Sequence, residues 1–451
     1  MSDFAAFLKQ AANVKPSRRQ LDWFEKNFYA FVHFSPNTYT GLEWGTGKED
    51  PAVFNPTELD CDQWVEAIKS AGMKGMVLTA KHHDGFCLWP SAHTRHSVKN
   101  SPWKGGKGDV VREASEACRR GGIAFGFYLS PWDRNCAFYG TNEYNDYYKK
   151  QLTELLTGYG DIFIVWFDGA CGEGPNGKKQ VYDYQGYIQL IRKYQPGAAI
   201  FNDGGPDVRW IGNESGRSRY AEWAVVPGEM ARLGGDVQTG PGPIRGDLSE
   251  MYNTDEAIGC LSNIVYSKGL CFLGAEINMS IRPGWFYHPE EAPHSLERLF
   301  DTYCRSVGGN ACFHLNVPPM PNGRFDPRDV ERLKELGDLI RQTFGTNLIK
   351  DAEITREDAK TGDTQCVYYI RLKKKIRITY VALRENIALG QKVENFLVQV
   401  PGEEMWHTLY NGTTIGNRKY CLLEHPVETD CLRIKITSAR DRVDLYEISA
   451  Y

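Results

Sequence analysis

No stretch of this sequence approaches the unbroken apolar run of a membrane-spanning helix, and the opening MSDFAAFLKQ lacks the basic-then-apolar order of a signal peptide. No membrane partner is therefore expected. The chain as it stands reads as cytoplasmic, with a periplasmic or secreted protein as the alternative if a leader was trimmed. Basic runs are equally scarce: none exceeds Lys373-Lys374-Lys375, and the net charge of −4 argues against nucleic acid as a partner. The twelve cysteines form no CxxC or CxxxC pair, which opposes both a patterned zinc site and a dense disulfide framework and leaves buried reduced thiols. Neither Gly204-Gly205 nor Gly234-Gly235 falls in a GxGxxG or GxxxxGKS/T pattern, so both read as loop turns, and no cofactor is expected. Internal repeats, low-complexity tracts and long linkers are missing as well.

What is present is length and aromatic surface. A chain of 451 residues exceeds one ordinary core, so a large barrel with an appended domain is a natural division. Aromatics make up 12%, and many stand beside His, Asp or Glu: His33-Phe34, Glu43-Trp44, Trp166-Phe167-Asp168, Glu222-Trp223. Sugars present flat C–H faces to rings and hydroxyl rims to His and carboxylates, so this mixture suits a carbohydrate site. Aromatic cores are common, and the mixture by itself decides nothing.

Nearly continuous apolar runs at residues 29–34, 75–82, 124–130, 162–168, 198–203, 220–226, 270–277 and 311–317 read as strands buried on both faces of a parallel sheet. Amphipathic stretches at 62–71, 109–120, 143–156 and 255–267 lie between them. This βαβα alternation predicts a (β/α)8-like, TIM-type barrel over residues 1–346, closed by a helix at 326–344. Beyond residue 347 the pattern changes to short alternating strands with turns such as Pro401-Gly402 and Asn411-Gly412. A C-terminal β-sandwich over 347–451, resembling a carbohydrate-binding module, is expected there.

Barrel strands carry their chemistry at their C-terminal ends. Those ends read His33, His82 with His83, Tyr128, Asp168, and Asn202 with Asp203. A lone His at a strand end is more often a satisfied structural group, but successive strands ending in polar groups point to one site. Asp168 closes the most apolar run, IFIVWFD; an Asp before Gly is usually a turn former, and here the flanking Trp166 and Phe167 favour function. Sugar hydrolysis needs a second carboxylate to protonate the leaving oxygen. Glu214, in RWIGNESG beside Trp210 and after the fifth predicted strand, is favoured, with Glu222, Glu43 and Glu276 as competitors.

The segments FVHFSPNTYTGLEWGTGKEDP, AKHHDGFCLWPS, GFYLSPWDRN, VWFDGA, INMSIRPGWFYHP and SVGGNACFHLNVPP resemble the α-L-fucosidases of glycoside hydrolase family 29 over residues 27–339. The resemblance implies that Asp168, closing VWFDGA, is the nucleophile. It implies that His33, His82, His83 and Tyr128 hold fucose hydroxyls and the nucleophile, and that Glu43, Trp44 and Trp285 contact the sugar and its methyl-bearing face. GLEWGTG and RWIGNESG resemble the branch acting on α-1,3- and α-1,4-linked fucose in Lewis-type glycans, where the Glu matching Glu214 is the acid/base. The SEWYW-type segment of the other branch is missing. The implied partner is a fucosylated oligosaccharide or glycoconjugate, cleaved with retention. The alternatives are a broad-specificity fucosidase that includes α-1,2 linkages and a non-catalytic fucose-binding protein. A metal-dependent hydrolase would also place His at strand ends. However, the adjacent His82 and His83 do not converge naturally on one ion, and no metal is expected.

Overall fold

A computed structural model describes residues 2–359 and 364–451. Eight parallel strands close into a barrel: β1 (Phe28–Val32), β2 (Gly75–Lys81), β3 (Ala124–Leu129), β4 (Ile164–Trp166), β5 (Ala199–Phe201), β6 (Val208–Trp210), β9 (Gly274–Ser280) and β10 (Ala311–Asn316). Two further strands, β7 (Val225–Pro227) and β8 (Leu270–Phe272), pair antiparallel outside the barrel. Side-chain alternation sorts the residues. Tyr29, Phe31, Tyr128, Ile164, Trp166, Ala199 and Phe201 share a core inside the barrel, while Ala30, Val32, Phe127, Leu129, Val165 and Ile200 pack in the layer that includes the helices.

The helices follow local chemistry. Asp60 caps the helix Cys61–Ser70 by accepting from the Gln63 backbone N–H at 3.0 Å, and Trp64 and Ile68, one turn apart, are buried. Asp109 does the same for Val110–Gly121 through Arg112, and Gly122 ends that helix at φ 70°, a left-handed conformation that costs glycine little.

Two expectations need correction. The sixth barrel strand is Val208–Trp210, not the run at 220–226, whose last residues enter the β7–β8 pair. A strand of three residues carries too little apolar pattern to be recognised. Glu214 therefore follows the sixth barrel strand. The helix expected over 255–267 shrinks to Leu261–Ile264, with turns and irregular backbone before it.

The helix Pro327–Phe344 closes the barrel layer, and Phe344 stacks on Tyr420 of the C-terminal domain with ring centroids 4.2 Å apart. That domain is the expected antiparallel sandwich. It comprises β11 (Glu353–Asp358), β12 (Cys366–Glu385), β13 (Val393–Pro401), β14 (Trp406–Gly412), β15 (Lys419–Ala439) and β16 (Leu445–Ala450) around one core. Hydrogen bonding follows the path β11-β12-β15-β13-β14, with β16 on β12. Bulges between Arg371 and Ile376 and between Ile378 and Tyr380 break the β12–β15 register, the kind of irregularity that bends long strands. Polar contacts fasten the two domains. Gln391 accepts from the Ala224 N–H at 2.8 Å, and the Arg440 guanidinium lies 3.5 Å from the Trp223 ring centroid.

Candidate active site

The barrel strands open at their C-terminal ends into a cavity of about 240 Å3. His33, Glu43, Trp44, His82, His83, Tyr128, Asp168, Glu214 and Trp285 all line it. Its lining also includes Phe31, Trp166 and Phe201, which continue the inward-facing rows of β1, β4 and β5. Trp166 stacks on Phe201 with centroids 4.0 Å apart. The Trp166 indole N–H donates to Glu276 Oε1 at 2.8 Å. Glu276 is fully buried and also accepts from Asn278 at 2.7 Å, so the pocket wall rests on a hydrogen-bonded polar network within the barrel.

A register shift against β3 lies between Thr79 and Lys81. Lys81 is buried against the outer helices, with its ammonium 3.0 Å from both Asp133 and Gln151 and facing the rings of Tyr144, Tyr147 and Tyr148. His82 and His83 line the cavity. Asp133 sits in the segment after β3 that also carries Trp132, so this buried pair ties the ends of β2 and β3 together.

Asp168 is held without being sealed. Its Oδ1 accepts from the Ala170 N–H at 2.7 Å, its Oδ2 accepts from the Tyr128 hydroxyl at 3.0 Å, and its side chain keeps 26% exposure toward the cavity. His83 Nε2 stands 3.8 Å from the same Oδ2. Burial lowers the pKa of all three pocket histidines: His33 falls to about 3 and His82 well below its ordinary value, and for His83 the pull of Asp168 opposes the shift. Neutral imidazoles recognise hydroxyls, and among the described residues no lysine or arginine forms an ion pair with Asp168.

Glu214 lies on the exposed loop at the mouth. Partial burial of its carboxyl raises its pKa, a hydrogen bond with the Trp285 side chain opposes this, and the charge of Asp168 adds to it. The competing carboxylates are committed elsewhere. Glu222 is buried away from the cavity in ion pairs with Arg209 and Arg219. Glu276 lies within the barrel network. Glu43 lines the cavity, yet its carboxylate accepts from the N–H groups of Trp285 at 3.0 Å and Phe286 at 3.4 Å and pairs with His288 at 2.9 Å. It holds the loop that presents Trp285.

Asp203, at the end of β5, joins the lining and hydrogen-bonds to Tyr252 at 3.1 Å; burial and the nearby Asp168 raise its pKa. Asn278 and Asn316 were not picked out from sequence. Asn316 Oδ1 lies 2.8 Å from His33 Nδ1, and Asn316 Nδ2 donates to the Trp285 carbonyl at 2.8 Å. The alternation of β9 and β10, counted inward from Glu276 and His314, was the available signal.

A hydrogen-bonded but partly exposed Asp side chain at a barrel strand end, a second carboxyl with a raised pKa at the mouth, and aromatic walls with neutral hydroxyl-binding imidazoles define a glycoside hydrolase site. A family profile described as alpha-L-fucosidase matches residues 7–222. Alpha-L-fucosidase 1 of Arabidopsis thaliana is 38% identical over 94% of this chain and 85% of its own length. A glycoside hydrolase 29 family member from an unknown rumen bacterium superposes with a TM-score of 0.84 at 38% identity, covering 98% of this chain and 77% of that one. A Ruminococcus gnavus GH29 fucosidase in complex with fucose gives 0.82 at 28% identity, covering 97% and 95%. The chain belongs to the α-L-fucosidases of glycoside hydrolase family 29.

Proposed function

We propose that this α-L-fucosidase releases terminal α-1,3- and α-1,4-linked L-fucose from branched, Lewis-type glycans with retention of configuration. The observation that carries the reading is the pairing of Asp168 and Glu214 around one cavity, Asp168 held by the Tyr128 hydroxyl and the Ala170 N–H, and Glu214 with its pKa raised by burial. In the first step an Asp168 carboxylate oxygen forms a bond to the anomeric carbon as the bond to the aglycone oxygen breaks, and Glu214 passes its proton to that oxygen. In the second step water attacks the same carbon, its proton returns to Glu214, and Asp168 leaves as carboxylate. The two carboxyl groups are expected about 5–5.5 Å apart when the loop is closed.

The fucose subsite is assigned to His33, His82, His83, Tyr128 and Trp285, with Glu43 bracing Trp285 from behind. Trp44, 61% exposed at the mouth, is placed to meet the methyl-bearing face or the aglycone. The linkage reading rests on the GLEWGTG and RWIGNESG segments, which carry Trp44 and Glu214 to the aglycone side. Every linkage presents the same fucose, so discrimination arises beyond it and is realised as the Glu214 loop closes.

Two experiments test this. A slow fluorinated fucoside followed by mass spectrometry of the intact protein and its peptides should label Asp168; a label elsewhere ends the nucleophile assignment. Comparison of kcat/KM for Lewis a and Lewis x trisaccharides, α-1,2-fucosyllactose and an aryl fucoside should favour the first two. A preference for the α-1,2 linkage or the aryl fucoside refutes the linkage reading and leaves the fucosidase activity standing.

A further inference from the structure

Ser130 follows β3 directly, is fully buried, and is not part of the cavity lining. Its Oγ lies 2.6 Å from the Trp132 carbonyl oxygen and 2.7 Å from His83 Nδ1. A carbonyl only accepts, and a serine hydroxyl has a single proton, so that proton is committed to Trp132. Nδ1 of His83 must then be the donor toward Ser130. Burial holds the imidazole neutral, with Arg134 and Lys81 reinforcing the effect against Asp168. A neutral ring carries one N–H, so Nε2 is bare.

We propose that Ser130 is a positioning residue that locks His83 in its Nδ1–H tautomer, so that Nε2 meets the substrate as a hydrogen-bond acceptor. This rests on the reading of Asp168 as nucleophile. At 3.8 Å, His83 Nε2 and Asp168 Oδ2 are two acceptors across a gap too long for a hydrogen bond. A fucose hydroxyl can donate its proton to Nε2 in that gap. The opposite tautomer would close the gap with an N–H donated to Asp168, removing the hydroxyl acceptor and weakening the carboxylate as a nucleophile.

The same logic fixes His33 by different atoms. Asn316 Nδ2 donates to the Trp285 carbonyl at 2.8 Å and to Ser280 Oγ at 2.9 Å, which leaves its Oδ1 to accept from the His33 backbone N–H at 3.2 Å and from His33 Nδ1 at 2.8 Å. Both rings are thus set with Nε2 as the acceptor. His82 has no such lock, and its Nδ1 is buried without a partner.

The test uses the full-length protein labelled with 15N-histidine, the His83 signals being assigned by their loss in His83→Gln. In the unmodified protein His83 Nδ1 should show a pyrrole-type shift and Nε2 a pyridine-type shift. Ser130→Ala should populate the Nε2–H form and lower kcat roughly tenfold, the scale of one misdirected hydrogen bond. Nε2–H bonded to Asp168 favours the imidazolium, so the acid limb of kcat/KM should move to higher pH in that variant. The titratable groups facing His83 are Asp168, Arg134, Lys81, His33, His82 and Tyr128; all are kept in the variant, and the Tyr128 side chain also touches Ser130. Ser130→Thr, which keeps the hydroxyl, should restore tautomer and pH profile. A protonated Nε2 in the unmodified protein overturns the proposal without any variant. So does a Ser130→Ala protein whose tautomer and acid limb are unchanged, including one that loses activity equally at every pH. If the fluorinated fucoside labels a residue other than Asp168 while the tautomer is as stated, the nucleophile reading fails and the lock stands.

Discussion

Exchanging Glu214 and Glu222 for alanine, one at a time, separates chemistry from architecture in two residues eight positions apart. Glu222 is 1% exposed and joins Arg209, 0% exposed, to Arg219, 6% exposed. Arg209 has one other partner, the Trp223 carbonyl at 3.1 Å, and its Nε and one terminal nitrogen already lack partners. Removing Glu222 strands a buried guanidinium, and breaking a buried pair in this way costs about 3–5 kcal/mol. Glu214 is exposed on its loop, so Glu214→Ala should change stability by no more than about 0.5 kcal/mol. Its kcat should fall about 10³-fold or more on a poor-leaving-group glycan, and azide should restore turnover with β-fucosyl azide as product. Urea unfolding gives the first quantity, and kinetics on the folded fraction with product analysis gives the second. If Glu222→Ala shows azide rescue and Glu214→Ala does not, or if Glu222→Ala is as stable as the parent, the assignment of the two carboxylates is wrong.

Other outcomes follow from the same geometry. Asp168→Ala should lose about 10³-fold or more in kcat while keeping its fold, as circular dichroism would register. Glu43→Ala leaves the Trp285 and Phe286 N–H groups without their acceptor, so KM for fucosides should rise and Trp285 fluorescence should change; unaltered values would show that the loop holds itself. Burial depresses the His33 pKa from 6.5 to about 3, so the unfolded chain binds that proton more tightly than the folded one. Its contribution to stability is therefore full above the unfolded value and shrinks as pH falls through the window from 6.5 toward 3, by about 2 kcal/mol between pH 6.5 and 5. Urea unfolding across that range should show the loss, and a smaller slope in His33→Gln. Glu222 titrates lower down. Its arginine partners outweigh the burial that opposes them and hold its carboxyl below the usual range, so the stability it contributes is present at neutral pH and disappears as pH falls through the carboxylate range.

Much of the fold was legible because its signals are local. Apolar runs such as FYAFV and AFGFYL, and the amphipathic stretches between them, are statements about neighbouring residues. They determined a parallel βα alternation and then an antiparallel C-terminal domain. Strand ends are local too, which is why His33, His82, His83, Tyr128 and Asp168 could be named before any contact was known. Weak or distant signals failed. The three residues of β6 pair with β9 across more than sixty positions of chain, and the stronger run at 220–226 drew the strand assignment away from them.

What only the tertiary structure decided is the function of each charge. By composition Glu43, Glu214, Glu222 and Glu276 are four equal carboxylates; their surroundings make one a brace for Trp285, one a candidate acid at the mouth, one half of a buried ion pair and one an anchor within the barrel. Desolvation and the positions of partner charges set these differences, and both depend on chain segments far apart in sequence. The tautomers of His33 and His83 are likewise fixed by Asn316 and Ser130, through carbonyls that can only accept. The order of residues along the chain thus determined which groups reach the rim, and packing around the rim determined which of them are free to react.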